Sequence, residues 1–133
     1  MRSGVVLCHG HFDFLHIGHL LHLQEASCLG ERLIVSITAD EFVTKPGRPI
    51  FNESERERML SELRCVDEVY ICRADTGIPA IHKFNPEYYV KGIDYSDSGI
   101  IESEMKACEK VGAEIVFTSA QKYSTTDLIE RLK

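Results

Sequence analysis

Histidines cluster near the N-terminus of this 133-residue chain. Five of its six histidines lie in one short stretch, at His9, His11, His16, His19 and His22. Imidazole nitrogens are good zinc ligands, so a metal site is one chemistry that such a cluster can support. Paired imidazoles can also donate hydrogen bonds to a phosphoryl group as its charge redistributes. The spacing of the histidines within the cluster helps to distinguish a metal site from a phosphate-binding site.

The order of residues around the cluster favours anion binding. Gly10 follows a short apolar run, and a compact loop leads to His16, Gly18 and His19 at a predicted helix start. Backbone N–H groups at a helix N-terminus attract anions, and glycine lets a phosphate approach the backbone closely. His16 and His19 are three residues apart and therefore share one face of the first turn. This pattern predicts a phosphate-binding loop that ends in two imidazoles.

Two alternatives remain open for the same residues. His11, His16 and His19 are close enough in sequence to share a metal ion, although no acidic or thiol fourth ligand is specified. The histidines could equally be polar residues of an exposed loop with no chemical role.

Hydrophobic patterning indicates which elements position this loop. Short β-branched runs predict strands at Val5–Cys8, Leu33–Thr38, Val66–Cys72, Tyr88–Val90 and Glu114–Thr118. Helical spacing and capping residues predict intervening helices at Gly18–Leu29, after Asn52, from Pro79 to Asn85, at Ile100–Val111 and from Ser124. The alternation predicts an α/β fold, a Rossmann-like doubly wound five-stranded parallel sheet in a single domain, residues 1–133. Such a sheet binds ligands at the carboxyl ends of its strands.

Composition excludes several classes of protein. A hydrophobic content of 44% argues against disorder, and 15 basic against 21 acidic residues argues against a nucleic-acid or anionic-membrane binder. No apolar stretch approaches the roughly 20 residues that span a bilayer. The five cysteines are scattered and odd in number, without a signal-peptide layout, so we expect a reduced, cytoplasmic, stand-alone protein.

A family resemblance follows from the loop itself. Residues 10–19, Gly-His-Phe-Asp-Phe-Leu-His-Ile-Gly-His, resemble the G-x-F-D-x-x-H-x-G-H signature of the cytidylyltransferase-like nucleotidyltransferases. Further stretches resemble that family along essentially the whole chain: Lys45 with Gly47–Ile50, Ser54–Arg56, Arg64–Val69, Tyr89–Tyr95 and Ser124–Thr126. The likeness is to glycerol-3-phosphate cytidylyltransferases and to the adenylyltransferase domain of ADP-heptose synthesis.

The resemblance implies roles for particular residues. It implies catalytic roles for His16, His19 and Lys45, with Lys45 orienting the attacking phosphate. Nucleotide and phosphate binding is implied for Gly10, His11, Phe12, Asp13, Gly18, Arg56, Lys91, Gly92, Asp94, Ser124, Thr125 and Thr126. Asp13 could instead brace the loop, Arg56 could be a solvated surface residue, and Ser124–Thr126 could be only a helix cap. Mg²⁺ is expected to arrive with the nucleotide, without a dedicated protein site.

The implied reaction joins a nucleoside triphosphate to a phosphomonoester and releases pyrophosphate. Residues 90–95 favour a heptose-1-phosphate-type adenylyltransferase using ATP; a glycerol-3-phosphate cytidylyltransferase using CTP is the alternative. Two departures bear on this choice: His11 stands where the family usually has Thr or Cys, and Ser119 where the cytidylyltransferases have Arg, with Lys122 nearby. The family also implies a homodimer, without nucleic-acid or membrane partners. A non-catalytic nucleotide-binding module is the other class of function that we considered.

Overall fold

Five parallel strands form one sheet in the part of the chain that the computed structural model describes, residues 4–92, 101–119 and 132. They are β1 (Val5–Gly10), β2 (Arg32–Thr38), β3 (Glu68–Cys72), β4 (Tyr88–Lys91) and β5 (Glu114–Phe117). Their order in the sheet is β3-β2-β1-β4-β5, and every neighbouring pair is parallel. The predicted fold class is confirmed.

Four helices lie between these strands: α1 (Ile17–Ser27), α2 (Glu53–Ser61), α3 (Ile78–Phe84) and α4 (Glu102–Val111). A short 3-10 turn, Asp40–Phe42, follows β2. The four helices were predicted from the sequence, whereas the 3-10 turn was not. Helix α4 begins two residues later than expected. The predicted last helix, from Ser124, lies outside the described residues.

Both faces of the sheet are covered, which explains why the central strands are apolar almost throughout. Six of the seven residues of β2 are buried. One apolar cluster includes Val6 and Cys8 of β1 with Leu23 of α1 and Leu60 of α2. The other includes Leu7 of the same strand with residues of α3 and α4. Alternate residues of β1 therefore anchor opposite layers, as the period of a strand requires.

The strand order creates a crevice at one edge of the sheet. The chain moves outward from β1 through β2 to β3, and then returns to pair β4 against the other side of β1. The carboxyl ends of β1 and β4 therefore flank the switch point, where doubly wound sheets bind ligands. β1 extends two residues further than predicted because His9 and Gly10 pair with β2. The histidine-rich loop starts directly at this edge.

A buried arginine connects the elements around the crevice. Arg56 of α2 is only 1% exposed. Its Nη1 donates to the carbonyl oxygens of His11 (2.9 Å) and Thr38 (2.7 Å), which lie at or just beyond the ends of β1 and β2. Its Nε donates to the Phe51 carbonyl at 2.9 Å, and its Nη2 donates to the Asp40 carboxylate at 2.7 Å. One guanidinium thus fixes the spacing of two strand ends and the start of α2.

Replacement of this guanidinium by an apolar side chain is expected to destabilise the fold. Arg56→Met leaves the carbonyl groups of His11, Thr38 and Phe51 without their donor, so we expect the free energy of unfolding to fall by about 3–5 kcal/mol. Chemical denaturation measures this change. Arg58→Met, at an exposed position of the same helix, is the matched control and should change stability by less than about 0.5 kcal/mol. Equal stability of the two variants would contradict the structural role of Arg56.

Candidate active site

Two histidines cap the N-terminus of α1. His16 is the N-cap residue, and its Nδ1 accepts a hydrogen bond from the Gly18 backbone N–H at 3.0 Å. The backbone N–H of His16 in turn donates to Nδ1 of His19 at 3.2 Å. This is the reciprocal geometry of a capping box, with two imidazoles in the places usually taken by Ser or Thr and by Glu or Gln. The three-residue spacing that predicted a shared face for His16 and His19 therefore also lets them form the N-terminal cap of α1.

These hydrogen bonds determine where each ring carries its hydrogen. A backbone N–H can only donate, so Nδ1 of His16 and of His19 must present a lone pair. In the neutral rings the hydrogen then lies on Nε2. The two rings stack with their centroids 3.9 Å apart. The capping box thus leaves an Nε2–H donor on each of the two stacked rings at the helix N-terminus, and Nε2 of His16 is buried.

Burial keeps both imidazoles neutral. It lowers the pKa of His16, and it lowers the pKa of His19 from 6.5 to about 3, with further effects from His16, His22 and Arg48. At neutral pH the pair therefore consists of uncharged hydrogen-bond donors. Neutral donors of this kind can stabilise the negative charge that develops on a phosphoryl group without transferring a proton to it.

The loop before the helix is shaped by Phe12. Its backbone is left-handed, with φ of 50°, and its ring is buried 5.3 Å from that of His19. A Cβ added at Gly10 would lie 3.1 Å from the Phe12 ring. The structure thus gives Gly10 a packing role, and close approach of a phosphate to its backbone stays a prediction. Gly18 is buried in the first turn of α1.

Asp13 braces the loop against the segment between the 3-10 turn and α2. Its buried carboxylate accepts from the Arg48 side chain at 2.5 Å and from the backbone N–H groups of Ile50 (2.8 Å) and Phe51 (2.9 Å). Burial alone raises the pKa of this carboxyl, but these donors outweigh it and hold the pKa below its ordinary value. Of the two predicted roles the structure shows the brace, since both oxygens of Asp13 accept hydrogen bonds within the protein, and contact of Asp13 with a nucleotide stays a prediction.

The same brace brings a lysine to the crevice. Lys45 is exposed on the segment that Asp13 holds, and its carbonyl accepts from the Arg48 backbone N–H at 3.1 Å. It lies close enough to His11 to lower the pKa of that ring, an effect second to burial. Lys45 thus acts electrostatically on the histidine loop, and its role toward the attacking phosphate stays a prediction.

Arg56 and Lys91 are both buried and paired within the protein. Arg56 is not a surface residue, and the contacts described above use four of its five N–H donors, while phosphate binding by Arg56 stays a prediction. Lys91 is 7% exposed at the end of β4, with Nζ 3.7 Å from Glu104 of α4 and 3.3 Å from the His9 carbonyl. Burial lowers its pKa, and Glu104 opposes the effect. Lys91 is thus paired within the protein at the end of β4, and its contact with a nucleotide stays a prediction.

Glu104 was not anticipated from the sequence. It is 4% exposed on α4, where its carboxylate also accepts from the Tyr89 hydroxyl at 2.9 Å and the Gly77 N–H at 2.8 Å. The other acidic residues of this helix are exposed. The signal in the sequence is the position of Glu104 three and four residues before Ala107 and Cys108, which places it on the buried face of the helix.

The remaining predicted contacts lie at or beyond the end of β4. Gly92 follows this strand, with no atom near the position of an added Cβ. Asp94, Lys122 and Ser124–Thr126 cannot be compared with the prediction, since they lie outside the described residues.

Two histidines of the cluster have structural partners instead. His9 Nδ1 lies 2.8 Å from the Ser36 hydroxyl, and His22 Nδ1 lies 2.8 Å from the Thr118 hydroxyl. Burial lowers the pKa of His9 to about 3 and that of His22 to about 4. Among the described residues, no group of three or more His, Cys, Asp or Glu side chains could hold a metal ion. The shared metal site is therefore not supported by the geometry.

No helix within residues 4–92 and 101–119 is both long and apolar enough to cross a membrane.

A family model and several curated relatives match nearly the whole chain. A model of the cytidylyltransferase-like family matches residues 7–131. The bifunctional protein HldE of Helicobacter pylori (strain Shi470) is 38% identical over 135 residues, which cover 99% of this chain and 28% of that protein. HldE of Syntrophotalea carbinolica is 33% identical over 132 residues, covering 96% of this chain and 26% of the relative. The chain thus spans about a quarter of the length of these curated relatives.

Solved structures share the architecture. The lipopolysaccharide core biosynthesis protein from Thermoplasma volcanium superposes with a TM-score of 0.75 at 30% identity, over 89% of this chain and 98% of that one. Pantothenate synthetase from Thermus thermophilus gives a TM-score of 0.63 at 15% identity, over 98% of this chain and 65% of that one, a likeness of fold alone. With the family model matching nearly all of its length, the chain belongs to the cytidylyltransferase-like family.

Proposed function

We propose that this chain transfers a nucleotidyl group from a nucleoside triphosphate to the phosphate of a sugar- or polyol-phosphate and releases pyrophosphate. The observation that carries the proposal is the histidine capping box. It supplies two fixed Nε2–H donors at the N-terminus of α1, at the switch point of the sheet. Donors of this kind suit an in-line attack on the α-phosphate, in which positioning and charge stabilisation provide most of the catalysis.

The remaining groups have complementary tasks in this proposal. His16 and His19 contact the α- and β-phosphoryl oxygens, and the backbone amides of residues 10–12 cradle the triphosphate with the helix dipole. Lys45 orients the attacking phosphate from the segment that Asp13 holds in place. Gly92 follows β4 and, with Asp94, borders the base and ribose. Ser124, Thr125 and Thr126 bind the terminal phosphates. Mg²⁺ enters as part of the nucleotide substrate.

We favour a heptose-1-phosphate-type acceptor and ATP. This preference rests on the likeness to the HldE proteins and to a lipopolysaccharide core biosynthesis protein. Ser119 also supports it, because the cytidylyltransferase motif has an arginine there, whereas here the backbone N–H of Ser119 donates to Glu25 at 3.0 Å.

Nucleotide and acceptor preference tests the proposal. With heptose 1-phosphate as acceptor, kcat/KM for ATP is expected to exceed that for CTP by about tenfold or more, as measured by pyrophosphate release. Glycerol 3-phosphate is the comparison acceptor. If CTP with glycerol 3-phosphate is instead the best pair, the chain makes CDP-glycerol. Nucleotide binding without pyrophosphate release for any phosphomonoester would contradict nucleotidyl transfer and favour a binding module.

The two imidazoles can be tested without disturbing the helix start. His16→Asn keeps an acceptor for the Gly18 N–H, since Asn is a favoured N-cap, but removes the Nε2–H donor. His19→Gln likewise keeps a capping-box acceptor. Each change is expected to reduce kcat about 10²–10³-fold while changing stability by less than about 1 kcal/mol. His82→Asn, on an exposed position of α3, is the control and should retain full activity. Near-normal turnover in both site variants would rule out the catalytic role.

The protonation state of His19 gives a pH prediction. Because its pKa is lowered from 6.5 to about 3, the folded protein keeps this ring neutral down to acidic pH. Its ring-proton NMR signals should therefore stay constant from about pH 8 to about pH 5. Its contribution to stability should be complete above pH 6.5 and fall progressively toward pH 3, where the unfolded chain binds the proton that the folded chain does not. A midpoint near 6.5 for the His19 signals would contradict a buried neutral donor.

A further inference from the structure

Two polar side chains of α1 hold the residues that follow β5. Nδ1 of His22 lies 2.8 Å from the hydroxyl oxygen of Thr118, which is 1% exposed. The carboxylate of Glu25 accepts hydrogen bonds from the backbone N–H of Ser119 at 3.0 Å and from its hydroxyl at 3.2 Å. These contacts join residues that lie 96 and 94 positions apart in the sequence. They are therefore tertiary contacts between the first helix and the last strand.

The contacts begin where the hydrogen bonds of the sheet end. β5 is an edge strand, and the backbone N–H of Thr118 still donates to the Lys91 carbonyl at the end of β4, at 2.9 Å. The next backbone N–H, that of Ser119, is bound by the Glu25 carboxylate instead of by a strand. The chain therefore leaves the sheet at Ser119 in contact with α1.

The helix that makes these contacts also carries the capping box. His19, His22 and Glu25 follow one another at intervals of three residues, so each is a neighbour of the next on the surface of α1. With a rise of 1.5 Å per residue, His22 and Glu25 lie about 4.5 Å and about 9 Å along the helix axis from His19. The end of β5 is thus attached to α1 within two turns of the imidazole pair. In the sequence, Ser124–Thr126 begin five residues after Ser119.

We propose that His22 and Glu25 are positioning residues for the terminal phosphates of the nucleotide. They fix the end of β5, from which the chain continues to Ser124–Thr126. This inference rests on the proposed function, in which those three residues bind the terminal phosphates. His22 and Glu25 act through Thr118 and Ser119, and they do not themselves touch the nucleotide.

A fixed starting point lowers the entropic cost of binding. A segment that binds a ligand loses conformational freedom, and this loss offsets part of the binding free energy. Hydrogen bonds that already hold one end of the segment reduce the freedom that remains to be lost. The Glu25 carboxylate suits this task, because charge-assisted hydrogen bonds are stronger than neutral ones. The benefit applies only to the groups that the segment binds, so it favours a nucleoside triphosphate over the monophosphate of the same nucleoside.

Binding of ATP and of AMP, measured by calorimetric titration with Mg²⁺ present, tests the inference. Glu25→Ala and His22→Ala should each raise Kd for ATP about five- to tenfold, while Kd for AMP stays within about twofold. Glu25→Gln keeps an acceptor for Ser119, and His22→Asn keeps an amide at the place of Nδ1, so both should recover most of the loss. Gln24→Ala, at an exposed position of the same helix, is the control. CTP and CMP replace ATP and AMP if CTP is the better substrate.

A substitution on the strand side tests whether His22 acts through Thr118. Thr118→Val removes the hydroxyl partner of the ring and keeps a side chain of similar size. The double variant His22→Ala/Thr118→Val should then bind ATP within about twofold of His22→Ala alone, because the second change removes a contact that is already lost. Fully additive losses would overturn the assignment of His22.

The outcomes of the binding experiment are distinct. A selective loss of ATP affinity that the Gln and Asn variants relieve supports the inference. Equal losses for ATP and AMP overturn it, because the contacts would then serve the fold alone, and an unchanged Kd for ATP in Glu25→Ala or a loss that neither conservative variant relieves also overturns it. Pyrophosphate release by the wild type reports separately on the proposed function, since binding does not require turnover. A wild type that releases pyrophosphate but binds ATP no more tightly than AMP overturns this inference and leaves the proposed reaction intact.

Discussion

The organisation of the site depends on the burial of one guanidinium. A buried cation is stable only if its N–H groups are satisfied, and Arg56 satisfies them with carbonyl oxygens from three separate segments and one carboxylate. The ends of β1 and β2 must therefore keep the spacing that one planar group can bridge. That spacing positions the loop from Gly10 onward, and the Asp13 brace then holds the Lys45 segment against it. The geometry of the proposed site thus depends on a residue that is itself almost fully buried.

Buried polar residues and ligand-facing residues are clearly divided. Asp13, Arg56, Lys91 and Glu104 are buried and paired, so within the structure described they hold the elements around the site together. The imidazoles of the crevice are neutral, because burial lowers the pKa of each one. Among residues 4–92 and 101–119, the groups that we propose to attract a nucleotide are an exposed lysine, oriented N–H donors and a helix N-terminus. A formal net charge of −6 is therefore no obstacle to phosphate binding, since whole-chain charge acts at long range and these donors act by contact.

Much of the fold could be predicted because a strand that is buried on both faces of the sheet has an almost continuous apolar sequence. The apolar runs of β1 and β2 predicted a covered parallel sheet, and the capping residues predicted the helix starts. Residue roles at the strand ends were harder to predict, since a charged residue there can face either a ligand or a buried partner. Arg56 and Lys91 were expected to bind nucleotide, and their buried partners, Thr38 and Glu104, are distant in sequence and could not be predicted from the local pattern. The spacing of His16 and His19 predicted a shared face at a helix start, but it did not predict that the two imidazoles form the capping box, because Ser, Thr, Asp and Asn are the usual N-cap residues.

The Lys91–Glu104 pair has a further consequence for the electrostatics of the crevice. Burying a charge pair recovers less energy than its Coulomb attraction suggests, so such a pair seldom exists for stability alone. Here the carboxylate also binds Tyr89 and the N–H of Gly77, which connects α4, β4 and the start of α3. It also compensates the cation that lies below the switch point. The pair therefore places a compensated charge, and not an isolated cation, at the carboxyl end of β4.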